Sequence, residues 1–323
     1  LANAIRSQRV AHAYLFTGPR GVGKTSMARI LAKALCCESG PTATPCGTCQ
    51  HCRMITDSAH PDVAEIDAAR YSGVDAIREL GEGAHFAPTL ARSRLIILDE
   101  VHMLSNNAWN ALLKLLEEPP PHLRFIFATT EVDKVLPTVL SRCQQFSFRS
   151  LDLPVIVARL KDIAAKEGAD VPEPVLYRVA RAAGGGMRDA QTLLDQLIAV
   201  SDGAAGEDDL DLLLGAARGE DLREMLKLAL SGASAPALAR LDACCAAGAG
   251  AATILDQLVE HLRAVMLLQA CGAEAPAVRR LGLPAEQLAA LASAATPEKV
   301  LRAAQVLTGT QQHLRHGADP RLA

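Results

Sequence analysis

Aromatic side chains are scarce in this chain: one Trp, three Tyr and six Phe among 323 residues, or 3 %. With half of the residues apolar, the core must be aliphatic, and such a composition favours helices packed closely through small side chains. Excess positive charge is also missing. The net charge of −3 gives no bulk signal for nucleic acid, so any DNA contact has to come from a local arrangement of basic groups. No apolar run approaches the roughly 18 residues of a membrane helix, and no charged-then-apolar leader opens the chain. The chain starts at Leu1 rather than a methionine, which is expected of a fragment that lacks its true N-terminus. A disulfide scaffold is excluded by the cysteines themselves. Their count of nine is odd, and four crowd together at Cys37, Cys46, Cys49 and Cys52, as a metal site in a reducing cytoplasm would have them.

The order of elements points to an α/β domain followed by helices. Residues 13–17, 62–66, 94–98 and 124–128 are short, β-branched or aromatic apolar runs, which read as buried parallel strands. Between them, residues 24–35, 74–84 and 105–117 carry helical periodicity, the last with Ser105 as N-cap and Pro119 to Pro121 as the stop. This alternation predicts a three-layer domain over residues 1–150 with a parallel sheet. The cysteine segment, rich in Gly, Pro and Thr, reads as a loop insertion. After residue 150 strands vanish, predicting a small helical unit over 151–215 and a second helical domain over 216–323, with Gly184 to Gly186, Gly232, Gly248 and Pro284 as breaks. The last residues, 317–323, read as a turn entering a further helix.

Residues 18–25 spell GPRGVGKT after a strand and before a helix, the context that a phosphate-binding loop requires. Gly18, Pro19, Arg20, Gly21, Val22 and Gly23 would aim backbone N–H groups at phosphate oxygens, with Ser26 just inside the helix. Lys24 would reach the β- and γ-phosphates of ATP and Thr25 would ligate Mg2+. The strand 94–98 runs into Asp99 and Glu100. Acids at the carboxyl end of a parallel strand sit where open α/β sheets bind ligands. Asp99 would therefore hold magnesium, and Glu100 would act as general base on the attacking water. The plain alternatives are a bare glycine turn and two solvated acids. The tetrad Asp99-Glu100-Val101-His102 also fits the DExH form of helicases, but that reading needs a second α/β domain and only helical pattern follows residue 150.

Two overlapping C-x-x-C steps, Cys46 to Cys49 to Cys52, preceded by a fourth sulfur, suit tetrahedral thiolate zinc in a closed, structural site. Gly47 would let the loop wrap its N–H groups toward the sulfurs. Iron–sulfur ligation is the chemical alternative. Cys36 competes with Cys37 as first ligand, and His51 and His60 are spare candidates. Trp109 and Phe125 read as core, and His12 and His85 as hydrogen-bonded structural histidines.

Taken together, HAYLFTGPRGVGKTS, CESGPTATPCGTCQHC, LDEVHMLSNNAWNALLKLLEEPP, TVLSRCQQF and GGGMRDAQTLLDQ resemble the γ/τ family of bacterial DNA polymerase III subunits, in the same order and over at least the first 200 residues. The resemblance implies an AAA+ module, a helical lid and a helical collar that joins five subunits in a ring. Partners would be δ, δ′ and further γ/τ copies, the sliding clamp and primer–template DNA. ATP binding would open the clamp, and hydrolysis would release it onto DNA. The resemblance implies Cys37 as the first zinc ligand. It gives Thr130, with Thr129 as the alternative, as a polar sensor at the end of the fourth strand. Arg142 matches an arginine finger reaching a neighbour's ATP, and Arg188 a second sensor in the lid. A nucleotide-binding scaffold that does not hydrolyse is the competing non-enzyme reading, although Lys24, Thr25, Asp99 and Glu100 are all kept. Residues that hold adenine are expected in the missing N-terminus, and the family's C-terminal extension is expected to be absent.

Overall fold

Short, nearly continuous apolar runs build the parallel sheet of the first half of the chain. In the computed structural model, which describes residues 1–7, 9–70, 81–201, 205–273, 275, 278 and 285–315, five strands pair side by side. They are β1 (Ala13–Thr17), β2 (Val63–Asp67), β3 (Arg94–Asp99), β4 (Leu123–Thr129) and β5 (Gln144–Ser147). The order is β2-β3-β4-β1-β5 and every pair is parallel. Helices α1 (Ala2–Arg6), α2 (Lys24–Cys36), α3 (Gln50–Thr56), α4 (Asn106–Glu117) and α5 (Pro137–Leu140) lie among them in sequence.

Successive side chains of a strand point to opposite faces, so a central strand covered on both sides reads as continuously apolar. Here Tyr14, Phe16, Leu95, Ile97, Ile126 and Ala128 pack on Ala28, Leu31, Ala32 and Leu35 of α2. Leu15, Ile96, Leu98, Phe125 and Phe127 pack with Trp109, Leu112 and Leu116 of α4 on the other face. Trp109 and Phe125 are therefore core, as their sequence setting predicts. The N-cap of α4 is Ser105, whose side chain accepts a hydrogen bond from the Ala108 N–H.

A second compact unit comprises Asp152–Gly185 and Asp189–Ala323, while Gly186–Arg188 group with Leu1–Leu151 in the first. The second unit's described elements are all helices: α6 (Leu153–Glu167), α7 (Glu173–Ala182), α8 (Met187–Val200, which begins in the first unit), α9 (Glu207–Leu214), α10 (Gly219–Ser231), α11 (Ser234–Ala246), α12 (Ala251–Cys271), α13 (Ala285–Ala294) and α14 (Pro297–Arg315). Leu226, Leu230, Leu262, Val265, Leu288, Leu291 and Val300 make one of its cores. Among the described residues no second sheet exists to support a helicase. No described helix is long and apolar enough to cross a membrane.

Several details depart from the sequence reading. The cysteine segment is not loop throughout, since α3 starts at Gln50 with Cys49 as its N-cap residue. Strand β5 went unpredicted because Gln144-Gln145-Phe146-Ser147 is polar; it is an edge strand paired only with β1. His12 is a correction: its buried Nε2 finds no hydrogen-bond partner among the described residues. Burial, with Arg124 adding to it, holds the His12 imidazole below its ordinary value. His85 is exposed rather than tied into the core. Of the helix expected over 74–84, residues 81–84 are helical and the rest lie outside the described residues, as do Pro284 and residues 317–323.

Candidate functional site

The carboxyl ends of β1, β3 and β4 deliver the predicted site residues to one edge of the sheet. Thr17 is level with Thr129, and Asp99 follows Leu98, which pairs with Phe127. The chain leaves β1 through Gly18–Gly23 and enters α2 at Lys24. Gly18 (φ +141°), Gly21 (φ +75°) and Gly23 (φ +95°) all adopt conformations closed to most side chains. The Gly18 N–H donates to Thr129 O (3.3 Å), which ties the loop to the end of β4.

Lys24 is 6 % exposed, and its Nζ donates to Gly18 O and Pro19 O, both at 2.8 Å. Burial pulls its ammonium below the usual lysine value, and the nearby Glu100 and Asp99 carboxylates partly offset that pull. A cation already curled over the loop in this way needs little reorganisation to meet phosphate. Thr25 follows in the first turn of α2, and its hydroxyl donates to Asp99 Oδ2 at 2.5 Å. A hydroxyl and a carboxylate facing each other make a hard-oxygen pair of the kind that holds Mg2+. Arg20 and Ser26 are exposed, and Val22 is buried.

Glu100 has φ +49° and ψ +46°, a left-handed conformation that a non-glycine residue holds at a cost of order 1–3 kcal/mol. Its carboxylate accepts from Thr130 Oγ1 (3.0 Å) and from the Thr130 N–H (3.3 Å). Thr129, fully buried, instead meets His102 Nδ1 through its hydroxyl at 3.0 Å. Of the two threonines, Thr130 is thus the one in contact with the acid. The sequence offered no geometric ground for separating them, because adjacent strand residues point to opposite faces.

Arg142 follows α5 and lies away from these groups in the hydrogen-bond network. Its guanidinium donates to Thr138 O and to Glu117 Oε1, each at 2.8 Å. Arg188 belongs to the stretch that groups with the first unit, where the Met187 N–H donates to Gly21 O of the phosphate loop at 2.9 Å.

The sulfurs of Cys37, Cys46, Cys49 and Cys52 lie within 4.8 Å of one another. Cys37 Sγ is 3.7 Å from Cys46 Sγ and 4.0 Å from Cys49 Sγ. A tetrahedron with zinc–sulfur bonds of about 2.3 Å has edges of about 3.8 Å, so the donor set fits that ion. Cys36 stands apart, buried and near Ser93 O (4.0 Å), leaving Cys37 in the cluster. Gly47 turns at φ +74°. The N–H groups of Cys49 and then Thr48 draw the Cys46 thiol down to about 6, while burial pushes Cys52 up to about 12. His51 Nδ1 lies 2.9 Å from His60 Nε2, so these histidines engage each other and not the sulfurs.

A glycine-rich loop after β1 of a parallel sheet, with acids at the end of β3 and helices following in the chain, defines an AAA+ P-loop nucleotide-binding protein. The comparisons narrow the class. Residues 1–152 match the family model described as DNA polymerase III, delta subunit; residues 155–203 match the clamp loader subunit ATPase lid domain; and residues 206–323 match subunits gamma and tau domain III. The chain is 43 % identical over 267 residues to DNA polymerase III subunit tau of Bacillus subtilis, covering 83 % of this chain and 47 % of that protein. It is 44 % identical over 280 residues to subunit gamma/tau of Mycobacterium bovis, with the same two coverages. Among solved structures, the Thermotoga maritima RuvB Holliday junction branch migration motor shares 16 % identity at a TM-score of 0.47, over 70 % of each chain. The chain belongs to the DNA polymerase III gamma/tau family of clamp-loader subunits. It spans about half the length of the curated relatives it matches.

Proposed function

We propose that this chain is an ATPase motor subunit of a bacterial clamp loader, which opens a sliding clamp on binding ATP and releases it onto primed DNA on hydrolysis. The observation that carries this reading is the convergence of Lys24, Thr25, Asp99, Glu100 and Thr130 at one sheet edge. A subunit that merely bound nucleotide would have no need of a held acid beside the Thr25–Asp99 pair. The loop N–H groups and the start of α2 would receive the phosphates, with Lys24 neutralising the β- and γ-oxygens. Thr25 and Asp99 would hold Mg2+, which when bound offsets charge on the phosphates. Glu100 would take the proton of the attacking water, and Thr130 would fix the carboxylate for that transfer. Arg188 would read the γ-phosphate in its own subunit, and Arg142 would serve the site of a neighbour in a five-subunit ring with δ and δ′ partners. Residues 151–215 would form the lid and residues 216–323 the collar. The four thiolates would hold zinc as a structural staple.

The test is ATP hydrolysis by the full-length subunit reconstituted with δ, δ′, clamp and primer–template DNA. Hydrolysis stimulated by clamp and DNA is expected. Lys24→Ala should weaken nucleotide binding. Glu100→Gln should still bind ATP yet hydrolyse it slowly, by a factor of about 10² or more, because an amide cannot accept the proton. Parental hydrolysis by Glu100→Gln in the assembled complex would remove Glu100 as the base, and an inert parent complex would favour the scaffold.

A further inference from the structure

We propose that His102 is a positioning residue for Glu100, holding the carboxylate in place through its Nδ1 atom; this rests on the ATPase reading given above. His102 sits in the 3-10 turn Val101–Met103 that immediately follows Glu100, and its side chain is 7 % exposed. Its Nδ1 lies 3.0 Å from Thr129 Oγ1 and 3.4 Å from Glu100 Oε2. Its Nε2 lies 3.2 Å from Glu131 Oε1. An ionised carboxylate can only accept, so holding Glu100 calls for the ring N–H on Nδ1, where Thr129 Oγ1 also accepts, while Nε2 stands beside Glu131.

The grip is itself braced. Thr129 Oγ1 accepts the Glu131 N–H at 3.1 Å, and Glu131 Oε2 pairs with Lys134 Nζ at 2.8 Å. Three consecutive residues at the end of β4 thus read the turn after β3. Thr129 holds His102 and Glu131 stands beside it, while Thr130 holds Glu100. Glu100 Oε2 is met by Thr130 Oγ1, the Thr130 N–H and His102 Nδ1 together. With Oε2 fixed in this way, Oε1 is the oxygen left to address water. Glu100 needs such support because its backbone is held in the left-handed region, where small shifts of φ and ψ swing the side chain. A general base displaced by about 1 Å loses rate steeply, which gives a side chain that acts on the reaction only through the base a measurable effect on catalysis.

Two conservative replacements separate the contacts. His102→Asn places an amide near the position of Nδ1 and keeps the contacts to Thr129 and Glu100 while giving up Glu131. His102→Gln places its amide near Nε2 and does the reverse. Both are measured in the reconstituted full-length complex for ATP hydrolysis and nucleotide affinity, with Glu100 intact and again with Glu100→Gln. With Glu100 intact, His102→Gln should fall about tenfold or more in kcat with nucleotide affinity held within about twofold. His102→Asn should stay within about twofold of the parent. In the Glu100→Gln background neither change should slow the residual rate further, because a residue acting only through Glu100 has nothing left to position. Equal rates for the Asn and Gln variants, whether both parental or both slow, would overturn the proposal. So would an additional loss on top of Glu100→Gln, which is what a merely structural role produces. A parent complex that does not hydrolyse ATP overturns the ATPase reading and this inference together, whereas an active parent with an indifferent His102 overturns the inference alone.

Discussion

Two glycines of the phosphate loop separate two reasons for having no side chain. A Cβ on Gly18 would meet Phe148 O at 2.3 Å, and the residue also has φ +141°. A Cβ on Gly23 would find nothing within 4 Å, so only its φ of +95° opposes substitution. Gly23→Ala should therefore lose about 1–3 kcal/mol of stability from backbone strain, and Gly18→Ala more, since the loop must shift as well. Thermal melts of the two variants, with nucleotide affinity alongside, check the order; a milder Gly18→Ala would contradict it. Asp62 is a residue no motif announced. Buried at 1 % exposure, it accepts from the N–H groups of Thr89 (2.7 Å), Leu90 (2.7 Å) and Ala91 (2.8 Å). Burial alone would raise its carboxyl, but those donors, helped by His60, outweigh it and hold the group below the usual carboxylate range. Because the folded value is depressed, its contribution to stability is full above about pH 4 and is lost as pH falls through the folded value. Asp62→Asn should cost about 1–3 kcal/mol at neutral pH and flatten the acid end of the stability profile. An unchanged acid slope in denaturant melts between pH 5 and pH 2 would reject it. Nothing local in the sequence marks Asp62, because its donors come from residues 89–91, far along the chain.

At the scale of elements, legibility followed the source of the stabilising contacts. Strands β1, β3 and β4 are covered on both faces, so their apolar runs are unbroken and their limits show to within a residue or so. Helix α4 was legible for another reason, as Ser105 caps it through a hydrogen bond within its own first turn. Edge strand β5 and helix α3 were not. The first takes its order from β1 alone, and the second, Gln50–Thr56, is capped by Cys49 and carries Cys52 in its first turn, its sequence shaped by the sulfurs. The phosphate loop, Asp99, Glu100 and the four cysteines were legible because each is a fixed spacing with a chemical reason. Thr130 was named only through the family resemblance, and the contacts that Thr130 and His102 make with Glu100 were not legible, since they arise only from the turn geometry. The cysteine cluster yields its own prediction. One zinc per chain is expected by elemental analysis, with sulfur distances near ~2.3 Å by X-ray absorption. Cys49→Ser should lower the melting temperature while changing nucleotide affinity little, because a thiolate site contributes directly to folding. Iron with acid-labile sulfide, or a metal-free chain that melts like the parent, would count against zinc.

At the scale of the whole molecule, the subunit that each arginine serves decides whether the proposed motor needs a ring. Within this chain Arg142 is engaged with Glu117 Oε1 and Thr138 O, not with the groups around Lys24. One subunit therefore presents the phosphate loop and the base without this arginine among them, as a ring in which the finger crosses to a neighbour requires. The isolated chain should then be a poor ATPase, since fingers supplied in trans are worth about 10³ to 10⁵ in rate. Arg142→Ala should leave nucleotide affinity nearly intact, because a group acting in the transition state lowers the rate more than it lowers binding. Arg188→Ala should lower affinity as well, if its side chain meets the γ-phosphate in its own subunit. Mixing two defective chains tests the crossing directly. Rings are assembled from Arg142→Ala and Lys24→Ala subunits together with the other loader components. Where an intact Lys24 site adjoins a neighbour with intact Arg142, hydrolysis should return, since both groups of that shared site are intact and the two defects fall at other interfaces. A finger acting in cis would leave every site inactive, because no single subunit would then hold both groups. Rings shown by mass spectrometry to contain both variants, yet silent, would place Arg142 in its own subunit's site and remove the reason for a ring.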